Sequence, residues 1–400
     1  METAKRWEVA DIFRECGKNY RDKNPLPLTH LKVMHAIEVC RTSYLGGHIE
    51  KCDTCGFEQH AYNSCRNRHC PKCQTLTKAQ WVEDRKTELL PVPYFHNVFT
   101  LPHELNPVAL CNKKAIYSIL FKAVSETLLD FGRNNLGGLL GFIAILHTWE
   151  QRLRDHIHLH CVIPGGVLSA DKTKWIPTKD DYLFNVKALS LVFREKFIEC
   201  LENAYAKGKL HFPGNISKYA TDGGFSGLIK VLRSKAWVVF SKKPFAGPHE
   251  VLDYIGRYTH RIAISNNRIV DVQDGNVTFT YRDRKDQDTL KLKTLPAEEF
   301  IRRFLLHVLP AGFMKIRHFG FLSNRRKKEN IQVCRELIGD NTPMPEREKK
   351  TAGELMLELT GIDITLCPCC KEGSMAIIME MPYPSRRQTM RPRAALMDSS

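Results

Sequence analysis

Residues 154–166, RDHIHLHCVIPGG, constrain the chain more than any other stretch. His156, His158 and His160 alternate with Ile157 and Leu159. Alternate side chains of an extended strand share a face, so the imidazoles line one side and the aliphatics anchor the other in a core. Imidazoles two residues apart can converge on one metal ion. Histidines scattered by chance on a polar strand face would give the same letters. Their density between apolar residues, closed by Pro164-Gly165-Gly166, favours a metal site. Histidine pairs also serve zinc hydrolases and oxygenases, so the chemistry must come from elsewhere in the chain.

Four hundred residues are enough for two or three domains with a substantial core. Lysine and arginine total 60 against 44 acidic residues, a surplus of +16. Such a surplus fits a polyanion partner, because each neutralised phosphate releases counterions. The first residues, METAKRWEVADIFREC, contain no apolar export signal, and the apolar run at 136–146 is glycine-interrupted and too short to span a bilayer. Fourteen cysteines without an export signal point to metal binding and reduced thiols. These features lead to the expectation of a cytosolic protein without a membrane partner.

Residues 5–40 read as two helices separated by the breaker run at 23–27. A helix is expected over 75–90, and the Pro91-Val92-Pro93 break reads as a domain boundary. Strands are expected at 95–101, 143–151, 236–240, 261–265, 268–272 and 277–281, with 143–151 turning into the histidine strand as a hairpin. Helices are expected at 106–131, 186–207 and 249–259. The region after Pro296 reads as helical and then strongly basic, and the tail beyond Tyr383 as disordered. The resulting division is a helical, cysteine-rich domain at 1–91, a domain at 92–325 that carries the histidine strand, and a basic C-terminal region at 326–400.

Cys52-x-x-Cys55 and Cys70-x-x-Cys73 form two knuckles whose four thiolates satisfy tetrahedral zinc. His48, Cys65 and His69 are close enough in sequence to substitute for a ligand or form a second site, or to be ordinary loop residues. Zinc holds together a segment too small and polar to fold alone. Arg66 and Arg68, interleaved with Tyr62 and Asn67, suit DNA contact. Cys367 and Cys370 supply half a site; they read more readily as reduced cysteines than as partners of a distant pair.

Tyr254 and Tyr258 stand at i and i+4, on one face of a helix, with Arg257 and Arg261 forming a second such pair. In isolation the pattern describes half-buried tyrosines of an amphipathic helix. Beside a histidine metal strand it reads as a pair of nucleophiles. A phenol with a pKa near ~10 costs roughly 4 kcal/mol to ionise at neutral pH. A divalent ion and adjacent guanidiniums can offset that cost while polarising a phosphodiester. Arg325, Arg326, Lys327 and Lys328 add a basic cluster for phosphate contact.

Assembled, these motifs resemble the two-tyrosine HUH transposases of rolling-circle insertion sequences that carry an N-terminal zinc-binding domain. The resemblance rests on GGHIEKCDTCG and YNSCRNRHCPKCQ, FTLPHEL, HTWEQRL leading into HIHLHCVIPGG, WVVFSKKPFAGP leading into YIGRYTHRIAISNNRI, and RRFLLHVLPAGFMKIRHFGFLSN. It spans about residues 5–370 and is specific in combination. It implies an α+β fold: a small antiparallel sheet flanked by helices, with the tyrosine helix facing the histidine strand. It also implies single-strand DNA cleavage through a 5′-phosphotyrosine, acting on element ends and target. His158 and His160 match the metal motif, and Tyr254 and Tyr258 the nucleophiles. Structural Zn²⁺ and catalytic Mg²⁺ or Mn²⁺ are the expected cofactors. A third metal ligand is expected, with Glu150 or Gln151 on the neighbouring strand as candidates. Ile157 stands where the family usually has proline, and Glu150 where glycine is expected. Alternative readings are a plasmid-type replication initiator, a zinc-finger DNA-binding protein without catalysis, and a zinc hydrolase that makes no use of tyrosine.

Overall fold

The computed structural model describes residues 6–179, 182–245, 250–251, 256, 263–283, 286–340, 342 and 350–383. Its strands, in chain order, are β1 (Gly47–Cys52), β2 (Glu58–Tyr62), β3 (Tyr94–Thr100), β4 (Leu139–Trp149), β5 (Asp155–Pro164), β6 (Gly166–Leu168), β7 (Trp175–Pro177), β8 (Val238–Phe245), β9 (Ile269–Gln273), β10 (Asn276–Asp283), β11 (Thr289–Pro296), β12 (Ile316–Gly320) and β13 (Met375–Met381). The helices are α1 (Val9–Lys23), α2 (Leu28–Glu38), α3 (Pro71–Lys86), α4 (Asn106–Cys111), α5 (Lys113–Phe131), α6 (Val186–Ala206), α7 (Asp222–Ser234), α8 (Ala297–Leu306), α9 (Lys327–Ile338) and α10 (Ala352–Thr360). The fold is α+β, with antiparallel sheets flanked by helices, as the sequence leads one to expect.

The central sheet runs β7-β6-β4-β5-β3-β8, with β12 also pairing against β4. Its two longest strands, β4 and β5, form the expected hairpin and lie at its middle. Period-2 alternation divides β5 cleanly. Ile157, Leu159, Cys161 and Ile163 enter a core with Phe99, Phe142, Ala144 and Leu146 beneath α5 and α6. The helices cover this face because their own apolar residues recur at helical spacing: Ile116, Leu120 and Val124 on α5, and Phe193, Phe197 and Leu201 on α6. Asn185 fixes the start of α6 by accepting from the N–H groups of Lys187 and Ala188 (3.0 and 3.1 Å). The opposite face, through Ile143, Ile145 and Val162, packs against Leu90, Val251, Ile331 and Cys334.

A second core joins the N-terminal helices to residues 263–308. Phe13 of α1 meets Phe304 of α8 edge-on at 5.3 Å, and Phe279 of β10 lies against Phe300. The N-terminal helices therefore share their apolar interior with the β9–β11 sheet and α8. A third sheet, β13-β1-β2, likewise pairs the C-terminal strand with the cysteine-rich N-terminal hairpin.

Several local expectations are revised. Pro71 opens α3 at its first turn, four residues before the expected start, where a missing N–H costs nothing. Residues 263–265 are not a strand: a short 3-10 turn, Asn266–Arg268, precedes β9. Strands β12 and β13 lie where helix or irregular chain was expected, and β11 lies in a stretch for which no element was expected. The C-terminal tail beyond Tyr383 lies outside the described residues.

Gly320 ends β12 with φ +62°, and a Cβ there would sit 1.5 Å from the Leu140 carbonyl oxygen. Gly208 has nearly the same backbone, φ +61°, but open space around it. Gly208→Ala should therefore cost about 1–2 kcal/mol, the price of left-handed backbone alone. Gly320→Ala should cost more than about 3 kcal/mol, because the strand must also move. Thermal and urea denaturation of the two variants will show the contrast; equal losses would contradict the packing at β12.

Candidate active site and cysteine clusters

The β4–β5 pairing sets His147 directly opposite His158, and Ile145 opposite His160. His147, His158 and His160 consequently present one ring nitrogen each within 4.8 Å of one another, all three buried. His156, next on the same face, is exposed and tilts against His158 at 4.7 Å.

The hydrogen-bond partners of two of these rings allow each to present a free Nε2 lone pair. His158 Nδ1–H donates to the His156 carbonyl (2.8 Å), which leaves its Nε2 unprotonated. His160 Nδ1 lies 2.8 Å from His96 Nε2; with His160 donating, its Nε2 also carries a lone pair. These two Nε2 atoms are 3.0 Å apart. In these tautomers both lone pairs can face one cation, and 3.0 Å is the separation of adjacent ligands at about 90° around an ion ~2.1 Å from each. The donor set fits a metal ion with open coordination positions. His96, on β3 and stacked on His160 at 5.1 Å, holds that ring's orientation. Burial first, and Lys242 second, push His96 down to about 4, so it stays neutral and can accept from His160.

The expected third ligands, Glu150 and Gln151, are elsewhere. Glu150 lies in the β4–β5 turn and binds Arg154 (2.8 Å) and Arg152 (3.5 Å). Burial pushes its carboxyl up, but the two guanidiniums outweigh that and hold it below the usual range. Gln151 follows in the same turn, its carbonyl accepting from Arg268. His147 takes the third position instead. It lies in the same HTWEQ motif, and the signal that could have found it is its histidine chemistry combined with hairpin register.

Trp149 stacks on His147 at 4.8 Å and 23°. Beyond it is a small cavity lined by Arg68, His69, His307 and Lys315, among others. Burial, then Arg68, lowers Lys315 to about 8. None of Lys315, His307 and His96 was singled out from sequence. Tyr254 and Tyr258 fall outside the described residues, as do Arg257 and Arg261. Gly256, between the two tyrosines, is helical, and a Cβ there would lie 2.9 Å from Val82 of α3.

The cysteines are grouped differently from the expected single site. Cys70 and Cys73 join Cys40 and Cys65, whereas Cys52 and Cys55 join Cys367 and Cys370. In the first tetrad, Cys73 Sγ is 3.6 Å from both Cys40 Sγ and Cys65 Sγ. This is close to the ~3.8 Å edge of a tetrahedron with metal–sulfur bonds of ~2.3 Å. Cys70 caps α3, and the positive end of that helix favours thiolates there. His48 pairs with Glu50 (2.9 Å), and His69 Nε2 accepts from Leu309 N–H, so neither joins a tetrad.

The basic residues separate in the same way. Arg66, Arg325, Arg326 and Lys328 are exposed. Arg68 commits its fork to the carbonyls of Phe313 and Pro310, and Lys327 pairs with Glu88. Those two tie structural elements together.

Among the described residues no helix is long and apolar enough to cross a membrane. The profile of a family described as "Putative transposase" matches residues 141–330, and that of a "Transposase zinc-binding domain" matches 12–101. The chain is 49% identical to "Putative transposase y4qJ" of Sinorhizobium fredii, over 93% of its own length and 94% of the relative's. It is 25% identical to "Transposase for insertion sequence element IS801" of Pseudomonas savastanoi pv. phaseolicola, over 83% and 79% of the two chains. No solved structure matches it.

Binding of Mn²⁺, followed by electron paramagnetic resonance, separates the candidate ligands. Glu150→Gln should leave affinity nearly unchanged, and His147→Ala should lose it with His158→Ala. His96→Ala, which removes only an orienting partner, should weaken binding about 10–100-fold. Loss of binding in Glu150→Gln with retention in His147→Ala would reverse the assignment.

Proposed function

Because the chain belongs to the IS91-type family of insertion-sequence transposases, we propose that it is an HUH single-strand endonuclease and strand transferase. The observation that carries this reading is the convergence of His147, His158 and His160 at the centre of the sheet. Substrates are the single-stranded ends of the element and its target, in the bacterial cytosol at the nucleoid.

The phenol of Tyr254 or Tyr258 loses its proton and attacks the scissile phosphorus. The phosphorus–oxygen bond to the 3′ side breaks, the departing oxygen is protonated to a 3′-hydroxyl, and the 5′-phosphate remains on tyrosine. One phosphoester replaces another, so the step is reversible and needs no nucleotide cofactor. A divalent ion held by the three imidazoles would supply charge to the phosphate oxygens. The histidines' task is to present three unprotonated nitrogens; the His156 carbonyl and His96 favour this at His158 and His160 by accepting from their Nδ1 atoms. Arg257 and Arg261, four residues apart in sequence and close to the tyrosines along the chain, would neutralise phosphate. Two nucleophiles allow one strand to be held while a second is exchanged.

Three imidazoles, rather than two and an oxygen, shift the expected ion. Mg²⁺ prefers oxygen ligands, whereas imidazole suits the first-row transition ions. Mn²⁺ is the better fit to this donor set.

The N-terminal zinc-binding domain, with exposed Arg66, would recognise the element ends, and Arg325, Arg326 and Lys328 would hold backbone phosphate. A plasmid-type replication initiator would use the same nuclease chemistry; the relatives' names favour transposition.

Incubation with labelled single-stranded oligonucleotides tests the reading. A covalent protein–DNA adduct should form faster in Mn²⁺ than in Mg²⁺ and not at all in EDTA. Tyr254→Phe and Tyr258→Phe should each retain some adduct but fail in transposition, and the double variant should form none. An adduct persisting in the double variant, or full cleavage in EDTA, would overturn the scheme. Neutralising Arg325, Arg326 and Lys328 should lower the salt slope of single-strand binding by about 0.7 per lost contact. An unchanged slope would mark that cluster as solvated surface.

A further inference from the structure

We propose that Cys52, Cys55, Cys367 and Cys370 form a second tetrathiolate zinc site, a clasp that fastens the C-terminal strand to the N-terminal hairpin. The matched zinc-binding domain ends at residue 101, so it contains only half of these ligands. The two knuckles come together across more than 300 residues of chain: Cys52 Sγ is 3.8 Å from Cys370 Sγ, and Cys55 Sγ 3.6 Å from Cys367 Sγ. Both distances match the ~3.8 Å edge of a tetrahedral zinc–sulfur site.

Three further features are built around the sulfurs. Each knuckle turns its backbone N–H groups onto its own first or last sulfur: Thr54 and Cys55 onto Cys52 (both 3.4 Å), Cys369 onto Cys367 (3.4 Å), and Gly373 onto Cys370 (3.3 Å). Such donors stabilise thiolate, the form that binds metal. The residue after the second cysteine is left-handed in both knuckles, Gly56 at φ +73° and Lys371 at φ +65°. Each knuckle also closes with the same bond, Gly56 N–H to Cys52 carbonyl and Lys371 N–H to Cys367 carbonyl. The two turns are thus near copies of one another.

The knuckles also interlock. A Cβ on Gly373 would lie 2.4 Å from Cys52 Sγ and 2.6 Å from Thr54 Oγ1, so only glycine permits the approach. Asp53 N–H donates to the Ser374 carbonyl (3.1 Å), and Ser374 N–H donates to Asp53 Oδ1 (2.9 Å). From this junction β13 runs antiparallel to β1, Cys52 opposite Met375 through Gly47 opposite Met381. The strand has little apolar burial to hold it: Ile377, Ile378 and Met379 are each at least half exposed. Four metal–sulfur bonds supply what the packing does not.

Cysteine reactivity in the native full-length chain tests the clasp without any mutation. Cys55 and Cys369 are both exposed, but only Cys55 belongs to the tetrad. Brief alkylation followed by peptide mass spectrometry should label Cys369 and spare Cys55, and removing zinc with a strong chelator should make Cys55 reactive. Equal labelling of the two before chelation would overturn the proposal. Zinc content gives a second readout. Cys52→Ser/Cys55→Ser and Cys367→Ser/Cys370→Ser should each lose about one equivalent relative to wild type, and the four-site variant no more than that. Losses that add, or no loss from the 367/370 pair, would show that the pairs do not share an ion. Gly373→Val should lose the same equivalent while keeping all four thiols.

Discussion

The pairing of β4 with β5 is the contact on which the rest depends. With His147 opposite His158, one face of the central hairpin carries three convergent imidazoles, and the other carries Leu146, Ile157 and Leu159 into the main core. A slip of one residue would exchange the faces, burying histidines among phenylalanines and breaking the cluster. The apolar contacts beneath α5 and α6 that stabilise the sheet therefore also set the geometry of the three imidazoles. His96 couples a third strand to the site through its bond to His160, so the donor set is held by three adjacent strands of one sheet.

Around this rigid centre, α3 acts as a hub. Its first turn carries Cys70 and Cys73 of one tetrad, and Val82 on its flank lies against Gly256 in the segment that holds the tyrosines. Further along, Glu83 pairs with Lys350, just before α10 and the second pair of knuckles. The first cysteine tetrad is thereby linked through one helix to the segment around Gly256 and to the start of α10. Because the second tetrad draws on both ends of the chain, it cannot close until residue 370 has been synthesised.

The histidine strand was legible because strand periodicity needs only local sequence. Its core-facing residues, the β4–β5 hairpin and the α5 and α6 helices were legible for the same reason. His147 was not, since it joins the other two imidazoles only through its register opposite His158, while Glu150 and Gln151 fall in the turn beyond the end of β4. The cysteine knuckles were visible individually, but their partners were not. Proximity in sequence favoured joining Cys52-x-x-Cys55 to Cys70-x-x-Cys73, whereas the fold pairs each with residues brought by other elements, Cys40 and Cys65 in one case and Cys367 and Cys370 in the other. Strand β12 is a short, half-buried run containing Arg317 and His318, and only its pairing with β4 identifies it. Arg68 and Lys327 show the limit of charge patterns: their sequence surroundings resemble those of the exposed arginines, but their partners are a pair of carbonyls and Glu88.

The central claim is that the trihistidine cluster acts directly on the phosphate that tyrosine attacks. Replacing one non-bridging oxygen of the scissile phosphate by sulfur tests it most directly, because sulfur binds soft ions well and hard ions poorly. Cleavage of one phosphorothioate diastereomer should fall sharply in Mg²⁺ and recover in Mn²⁺ or Cd²⁺, and His147→Ala should abolish that recovery. Equal cleavage of both diastereomers, whatever ion is supplied, would place the metal away from the reacting phosphate and contradict the account.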